Sequence, residues 1–299
     1  SPEQVGKIEA LRARLRNVPT PPGYAAEFAS RPALFAAKWL QARKWDVDAA
    51  AKMYEAAALW RLHHRLDNRP WFPAMRPPRG YDEKRLEQLV GHGPRARGQL
   101  DLTEAAMSDI SPSRWHFWDR GGRPVLIERS GLVQPDKLAE RCRMLARPGE
   151  HFTTHYTDFD IAINEIGSAL VHYRNKFAVK DPRDTVTQAT VVMDLQGMGM
   201  KHFTGAAFEL MKASTELQQR YYPEGLHRCY CVNAPAIAKV GWRIFQPFLD
   251  KNLQEKVRFC KPGDETARVL DEAIGAERVP KFLGGTCDCA GGGVPLAGD

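Results

Sequence analysis

The sequence predicts an α/β protein, with a small helical N-terminal domain followed by a larger domain on a mostly parallel sheet. Two observations carry this. Residues 31–66 show helical periodicity only. From about residue 120, short β-branched or aromatic runs alternate with long helical repeats. Strands that alternate with helices imply crossover connections and parallel pairing. The length, 299 residues, suits about two domains of ~150 residues each.

In chain order, residues 31–66 read as two helices. In the second, Ala50, Met53, Ala57, Trp60 and His64 recur at alternating steps of 3 and 4, which paints one apolar stripe. Arg43, Lys44, Trp45 and Asp46 join the two helices, with Asp46 or Asp48 as N-cap. Pro70, Pro73, Pro77 and Pro78 then crowd a basic stretch with Arg69, Arg76 and Arg79. Such proline density excludes a regular helix and marks a connector. The expected domains are a helical one at 1–75, a connector at 76–110, a main domain at 111–289 and a Gly-rich tail at 290–299.

Within the main domain, PVLIER (124–129), TVVMDL (190–195), CYCVN (229–233) and KVRFC (256–260) read as strands. Between them, Tyr156, Phe159, Ile163, Ile166, Leu170, Tyr173 and Phe177 repeat with a helical period. So do Phe203, Ala207, Leu210, Ser214, Leu217 and Tyr221. Gly284, Gly285 and Gly291 to Gly293 make the end of the chain read as loop.

Composition narrows the class. Apolar residues make up 43% and charged residues 26%, as in ordinary globular chains. A mean hydropathy of −0.45, with no run of ~18 apolar residues, excludes a transmembrane helix. The opening SPEQVGKIEALRARLR places charges where a secretory signal needs an apolar core, so a cytoplasmic location is expected. Six cysteines are too few for a disulfide scaffold. The net charge of +7 favours an anionic partner: nucleic acid, a membrane surface or a phosphorylated ligand. No block of like charges forms a nucleic-acid-binding arm.

The segment 234–249 is apolar nearly all round if helical: Ile237, Val240, Trp242, Ile244, Phe245, Phe248 and Leu249. Lys239 and Arg243 are its only charges. Such a helix is either a crossover buried on both sides or a lid that touches something greasy. DLQGMGMKHF (194–203) superficially suggests a dinucleotide-binding turn. However, the third glycine position holds His202, and Asn233 stands where a ribose-binding acid is wanted. Phosphate-loop, zinc-protease and hydrolase motifs are missing. Cys229/Cys231 and Cys287/Cys289 are spaced too closely for a usual zinc motif and read as structural thiols. No histidine spacing indicates ligands, no nucleophile–base pair is legible, and neither a metal nor an enzyme activity is expected.

Four stretches resemble the CRAL-TRIO lipid-binding family, in its phosphatidylinositol transfer branch: 35–61, 121–129, 190–198 and 221–259, with VPKFLGGTCDC (279–289) as a similar close. The resemblance implies a helical N-terminal domain packed on a CRAL-TRIO domain, whose sheet floors an apolar pocket under a gate helix at 236–249. The gate residues would be Lys239, Val240, Trp242, Arg243, Phe245 and Phe248, with Trp242 and Phe245 anchoring at the membrane interface. In similar proteins an Arg, a Glu and a Lys hold the inositol headgroup; here these are Arg43, Glu224 and Lys256. The rival reading of Arg43 and Glu224 is a domain-bridging ion pair. Leu253 replaces a neighbouring Thr of the family pattern, which removes one hydrogen bond worth on the order of 1 kcal/mol. The hydroxyl positions of choline-lipid carriers read Trp115, Leu126, Ala189 and Val191, so phosphatidylcholine should bind weakly.

The resemblance thus implies a non-enzymatic carrier of phosphatidylinositol or a phosphoinositide, with a phospholipid ligand and no cofactor. It implies transient, peripheral membrane contact, a role in trafficking, no nucleic-acid partner and a monomeric state. The rivals are a carrier of a sterol or retinoid-like ligand and, further off, a nucleotide-binding enzyme.

Overall fold

Prolines and short polar caps set the ends of the N-terminal helices. The computed structural model describes residues 1–68, 79–90 and 110–289. The chain divides into two compact units: Ser1–Arg69 with Glu216–Gly225, and Pro70–Thr215 with Leu226–Asp299.

In the first unit, proline opens α1 (Pro2–Leu15), α2 (Pro22–Ser30) and α3 (Pro32–Ala42), where its missing N–H costs nothing. The sequence pattern did not reveal α1, because it buries only Leu11 and Leu15. Lys44 and Trp45 take left-handed backbone, with φ of 51° and 65°, and turn the chain into α4 (Val47–His63). The Asp46 carboxylate caps α4, accepting from the Ala49 N–H at 2.9 Å. Tyr24, Phe35, Trp39 and Tyr54 form an aromatic interior with ring centroids 5.3 to 6.1 Å apart. Ala50, Met53 and Ala57 of the predicted stripe are buried. Trp60 is half-buried and stacks on Tyr221 at 4.0 Å.

The second unit holds a five-stranded sheet: β1 (Ser113–Trp118), β2 (Pro124–Glu128), β3 (Ala189–Asp194), β4 (Leu226–Val232) and β5 (Val257–Phe259), in that spatial order. β1 and β2 are antiparallel and the other pairs are parallel, so the sheet is mostly parallel, as the sequence predicts. β1 itself escaped the sequence reading. Its register shifts between Trp115 and Trp118, and Phe117 sits at φ 53°, so it shows no clean alternation. The β1–β2 turn is closed by Asp119, whose Oδ1 accepts from the Arg123 N–H at 2.9 Å.

The described helices of this unit are α5 (Glu83–Val90), α6 (Pro135–Leu145), α7 (Thr153–Phe177), α8 (Gly205–Tyr221), α9 (Ala236–Phe245), α10 (Lys251–Glu255) and α11 (Asp264–Ala273). The last residues of α8 group with the first unit. Val269 and Leu270 of α11 pack with Ile274, Val279 and Leu283 against Val125, Ile127, Val192 and Val232, filling one sheet face. The expected connector at 76–110 lies outside the described residues except at 79–90 and 110, and the tail at 290–299 lies wholly outside them.

Removing the α4 cap isolates one local interaction. Asp46→Ala should lower stability by ~1 kcal/mol in urea unfolding, and Asp46→Asn by clearly less. Equal losses would mean that charge, not capping, matters there.

Candidate functional site

Successive residues of β3 point to opposite faces. Thr190, Val192 and Asp194 are fully buried, whereas Ala189, Val191 and Met193 are only half-buried. Register extends this second face across the sheet. Leu126, Val191, Cys229 and Val257 align in one row, and Glu128, Met193, Cys231 and Phe259 in the next. One face is therefore packed by α11, and the other is apolar and incompletely filled.

Helix α9 covers this second face. Ala238 is buried against Leu195, Cys229 and Cys231. The Trp242 ring lies 5.5 Å from that of Phe259, and Gly241 lets the helix approach the Phe203 ring so closely that a Cβ would collide. Only Ala238 of α9 is fully buried, so the helix is not a crossover buried on both sides. Val240, Ile244 and Phe248 are exposed at 52%, 46% and 50%. Val240 and Ile244 lie four residues apart on α9, Phe248 follows in the 3₁₀ turn Gln246–Phe248, and exposed Lys239 and Arg243 flank this outward apolar stripe. Trp242 and Phe245, expected on the membrane side, are instead half-buried. The sequence showed the helix apolar all round; only packing reveals which side is outward.

The end of this covering segment is tied down. Gln254 of α10 donates from Nε2 to the carbonyls of Gln246 and Leu249, at 3.0 and 2.9 Å. Lys256 was expected on a strand, but it caps α10 one residue before β5. Its N–H donates to the Leu253 carbonyl and its carbonyl accepts from the Cys229 N–H, so its backbone is fixed while its side chain stays half-buried.

The other sequence-derived residues distribute unevenly. Trp115 and Leu126 are buried, while Ala189 and Val191 border the unfilled face. The Trp115 indole N–H is spent on the Ile163 carbonyl of α7 at 3.2 Å, and its ring packs on Gly167. Arg43 and Glu224 both belong to the first unit, and Lys256 to the second. Arg43 caps α3 and forms no ion pair among the described residues; its guanidinium folds back to donate to the Ala42 carbonyl at 2.8 Å. Glu224 is half-buried at φ 54°, in the turn that leads to β4.

Two acids on this side of the sheet were missed. Glu128 ends β2 in the row of Met193 and Cys231. Asp160 stands one turn along α7 from Tyr156. Burial pushes both carboxyls up to about 7; the Asp160 charge adds to the rise on Glu128, and a hydrogen bond with Ser214 opposes the rise on Asp160. Neither residue is fully buried, but the Asp160 Oδ2 is enclosed without a hydrogen-bond partner among the described residues. Spacing gave no hint of them, since strand and helix bring them together.

The Gly197 turn does not lead into a helix of useful length. A three-residue 3₁₀ segment, Met200–His202, intervenes before α8. Asn233 donates from Nδ2 to Asp194 at 2.9 Å and braces two strand ends. A dinucleotide-binding turn needs a helix N-terminus at the phosphates, which this one lacks.

Residues 112–285 match the family model of the CRAL/TRIO domain, and the chain belongs to that family. Its relatives include the phosphatidylinositol/phosphatidylcholine transfer protein SFH13 of Arabidopsis thaliana, 28% identical over 257 residues, or 86% of this chain and 35% of that protein. SFH14 of the same plant, also named a phosphatidylinositol/phosphatidylcholine transfer protein, is 32% identical over 184 residues, 60% of this chain and 29% of its own length. The chain thus spans 35% and 29% of the lengths of these two relatives. The crystal structure of Sfh5 shares the fold, with a TM-score of 0.55 at 12% identity, covering 90% of this chain and 83% of that one.

The raised acids set a pH dependence. Folded, Glu128 and Asp160 keep their protons to about 7; unfolded, only to about 4. The folded state binds more protons between those values, so stability falls as pH rises through the window. Glu128→Gln and Asp160→Asn should therefore each raise the melting temperature at pH 8, by on the order of a few degrees, with the gain shrinking toward pH 5. A gain that grows on acidification would overturn the assignment.

Proposed function

We propose that the chain binds phosphatidylinositol or a phosphoinositide and carries it between membranes, without catalysing a reaction and without a cofactor. The observation that carries this reading is the half-filled apolar sheet face under a helix with an outward apolar stripe. It stands in a CRAL/TRIO chain whose relatives are named for inositol- and choline-lipid transfer.

The physics of transfer fits such a face. Two acyl chains hide roughly 30 methylenes, each worth ~0.8 kcal/mol against water. A bilayer hides them equally well, so tail exchange is near neutral and selectivity must come from the headgroup. Arg43 and Lys256 would meet the phosphate, and Glu224 the ring hydroxyls. Phosphatidylcholine should be carried weakly: Ala189 and Val191 offer its phosphate no hydrogen bond. The carrier would work as a monomer in the cytoplasm with transient membrane contact and no nucleic-acid partner. Among the described residues no helix is long and apolar enough to cross a membrane.

Arg43→Ala, Glu224→Ala and Lys256→Ala should each slow phosphatidylinositol transfer between vesicles about tenfold while leaving the fold intact, since each removes a charge-assisted contact. Phosphatidylcholine transfer should be slow throughout. Wild-type inositol-lipid rates in all three variants would defeat the headgroup assignment.

Membrane contact is tested separately. Ile244→Glu and Phe248→Glu put charges on the outward stripe. They should weaken sedimentation with anionic vesicles and slow transfer, with lipid still bound in native mass spectra. Unaltered vesicle association would show that another surface docks.

A further inference from the structure

A second site lies apart from the half-filled face, at the sheet edge. His116 of β1 and the thiols of Cys287 and Cys289 bring one ring nitrogen and two sulfurs within 4.8 Å of one another. His116 is 4% exposed, and its buried Nε2 has no hydrogen-bond partner among the described residues. A buried ring nitrogen without a partner needs an explanation, and an absent ion is one. All six cysteines are free thiols.

We propose that His116, Cys287 and Cys289 bind one thiophilic divalent cation, zinc above all, with a water molecule completing the tetrahedron. Two thiolates bound to a tetrahedral zinc at ~2.3 Å stand about 3.8 Å apart; here the two Sγ atoms are 3.9 Å apart. One nitrogen with two sulfurs is a donor set that zinc prefers over magnesium or calcium. Binding forms two zinc–sulfur bonds and one zinc–nitrogen bond, and releases the two thiol protons to solvent.

The backbone holds these donors in place. Cys287 donates from its N–H to the Val279 carbonyl and accepts from the Lys281 N–H, both at 3.0 Å, which closes the loop between them. Gly285 is obligatory in that loop, because a Cβ there would collide with the Val279 carbonyl. Asp288, between the two cysteines, pairs with Arg79 at 3.5 Å, and the Arg79 carbonyl accepts from the Phe117 N–H at 2.9 Å. The acid is thus drawn to Arg79, which bridges to β1 at His116, while both thiols stay beside His116. The other close pair, Cys229 and Cys231, shows similar sulfur spacing at 4.0 Å but forms no such group with a histidine or acid among the described residues. The ion would clamp the closing segment 279–289 to β1, independently of any lipid.

The test uses the full chain, reduced and stripped with a chelator, then titrated with Co²⁺ and Zn²⁺. One Co²⁺ per chain should bind with thiolate-to-cobalt charge-transfer absorption, Zn²⁺ should displace it, and zinc should raise the melting temperature. His116→Gln and Cys289→Ser should abolish the absorption, and Cys229→Ala should leave it. Should a variant not fold, alkylation of the wild type decides: zinc should shield Cys287 and Cys289 from iodoacetamide in peptide mass spectra. No stoichiometric cobalt absorption, absorption that survives Cys289→Ser, or equal alkylation with and without zinc would each overturn the proposal.

Discussion

The site depends on one constraint, the two-residue alternation of β3 between strands that pair with it on both sides. Val192 and Thr190 face one way and Val191 and Met193 the other. A slip of one residue would send the packed set to the half-filled face and the reverse. Polar contacts hold the register. The Thr190 hydroxyl donates to Asp119 at 2.7 Å, which fixes β3 to the β1–β2 turn. At the other end Asp194 accepts from Asn233 at 2.9 Å, which fixes it to β4. These bonds satisfy the Thr190 hydroxyl and Asp194 Oδ1, while Asp194 Oδ2 faces the Arg129 guanidinium at 3.8 Å.

That face is not chemically uniform. Leu126, Val191, Cys229 and Val257 give one row whose only polar group is a thiol, suited to hydrocarbon. Glu128 lies in the next row, with Asp160 near enough to raise its pKa further. Desolvation keeps protons on these acids near neutral pH, so they can donate hydrogen bonds inside an otherwise apolar surface.

Local signals made most elements legible and left the site half hidden. The four runs that became β2 to β5 are dense in β-branched and aromatic residues, and the periods of α7 and α8 are long enough to identify either alone. β1 escaped because its bulge breaks the alternation. Glu128 with Asp160, and His116 with Cys287 and Cys289, are far apart in sequence and meet only through tertiary structure. Trp115 was legible as standing at a hydroxyl position of choline-lipid carriers, but not that the Ile163 carbonyl takes its indole N–H.

The orientation of α9 shows how packing resolves what periodicity cannot. Nearly every side of this helix is apolar, so its sequence alone permits any rotation about its axis. Gly241 permits close contact with Phe203, and Trp242 reaches Phe259, and these two contacts select one rotation. The rotation leaves Val240, Ile244 and Phe248 about half exposed, at a cost of about 1 kcal/mol each relative to burial. A bilayer interface would relieve that cost, and exposed Lys239 and Arg243 would add roughly 1 kcal/mol each beside anionic lipids. Gln254 restrains the far end of the segment by two hydrogen bonds, each of modest net strength. Under the proposed transfer, this helix, with one buried residue, would be the element to move at a membrane, and the packed side of the sheet would stay fixed.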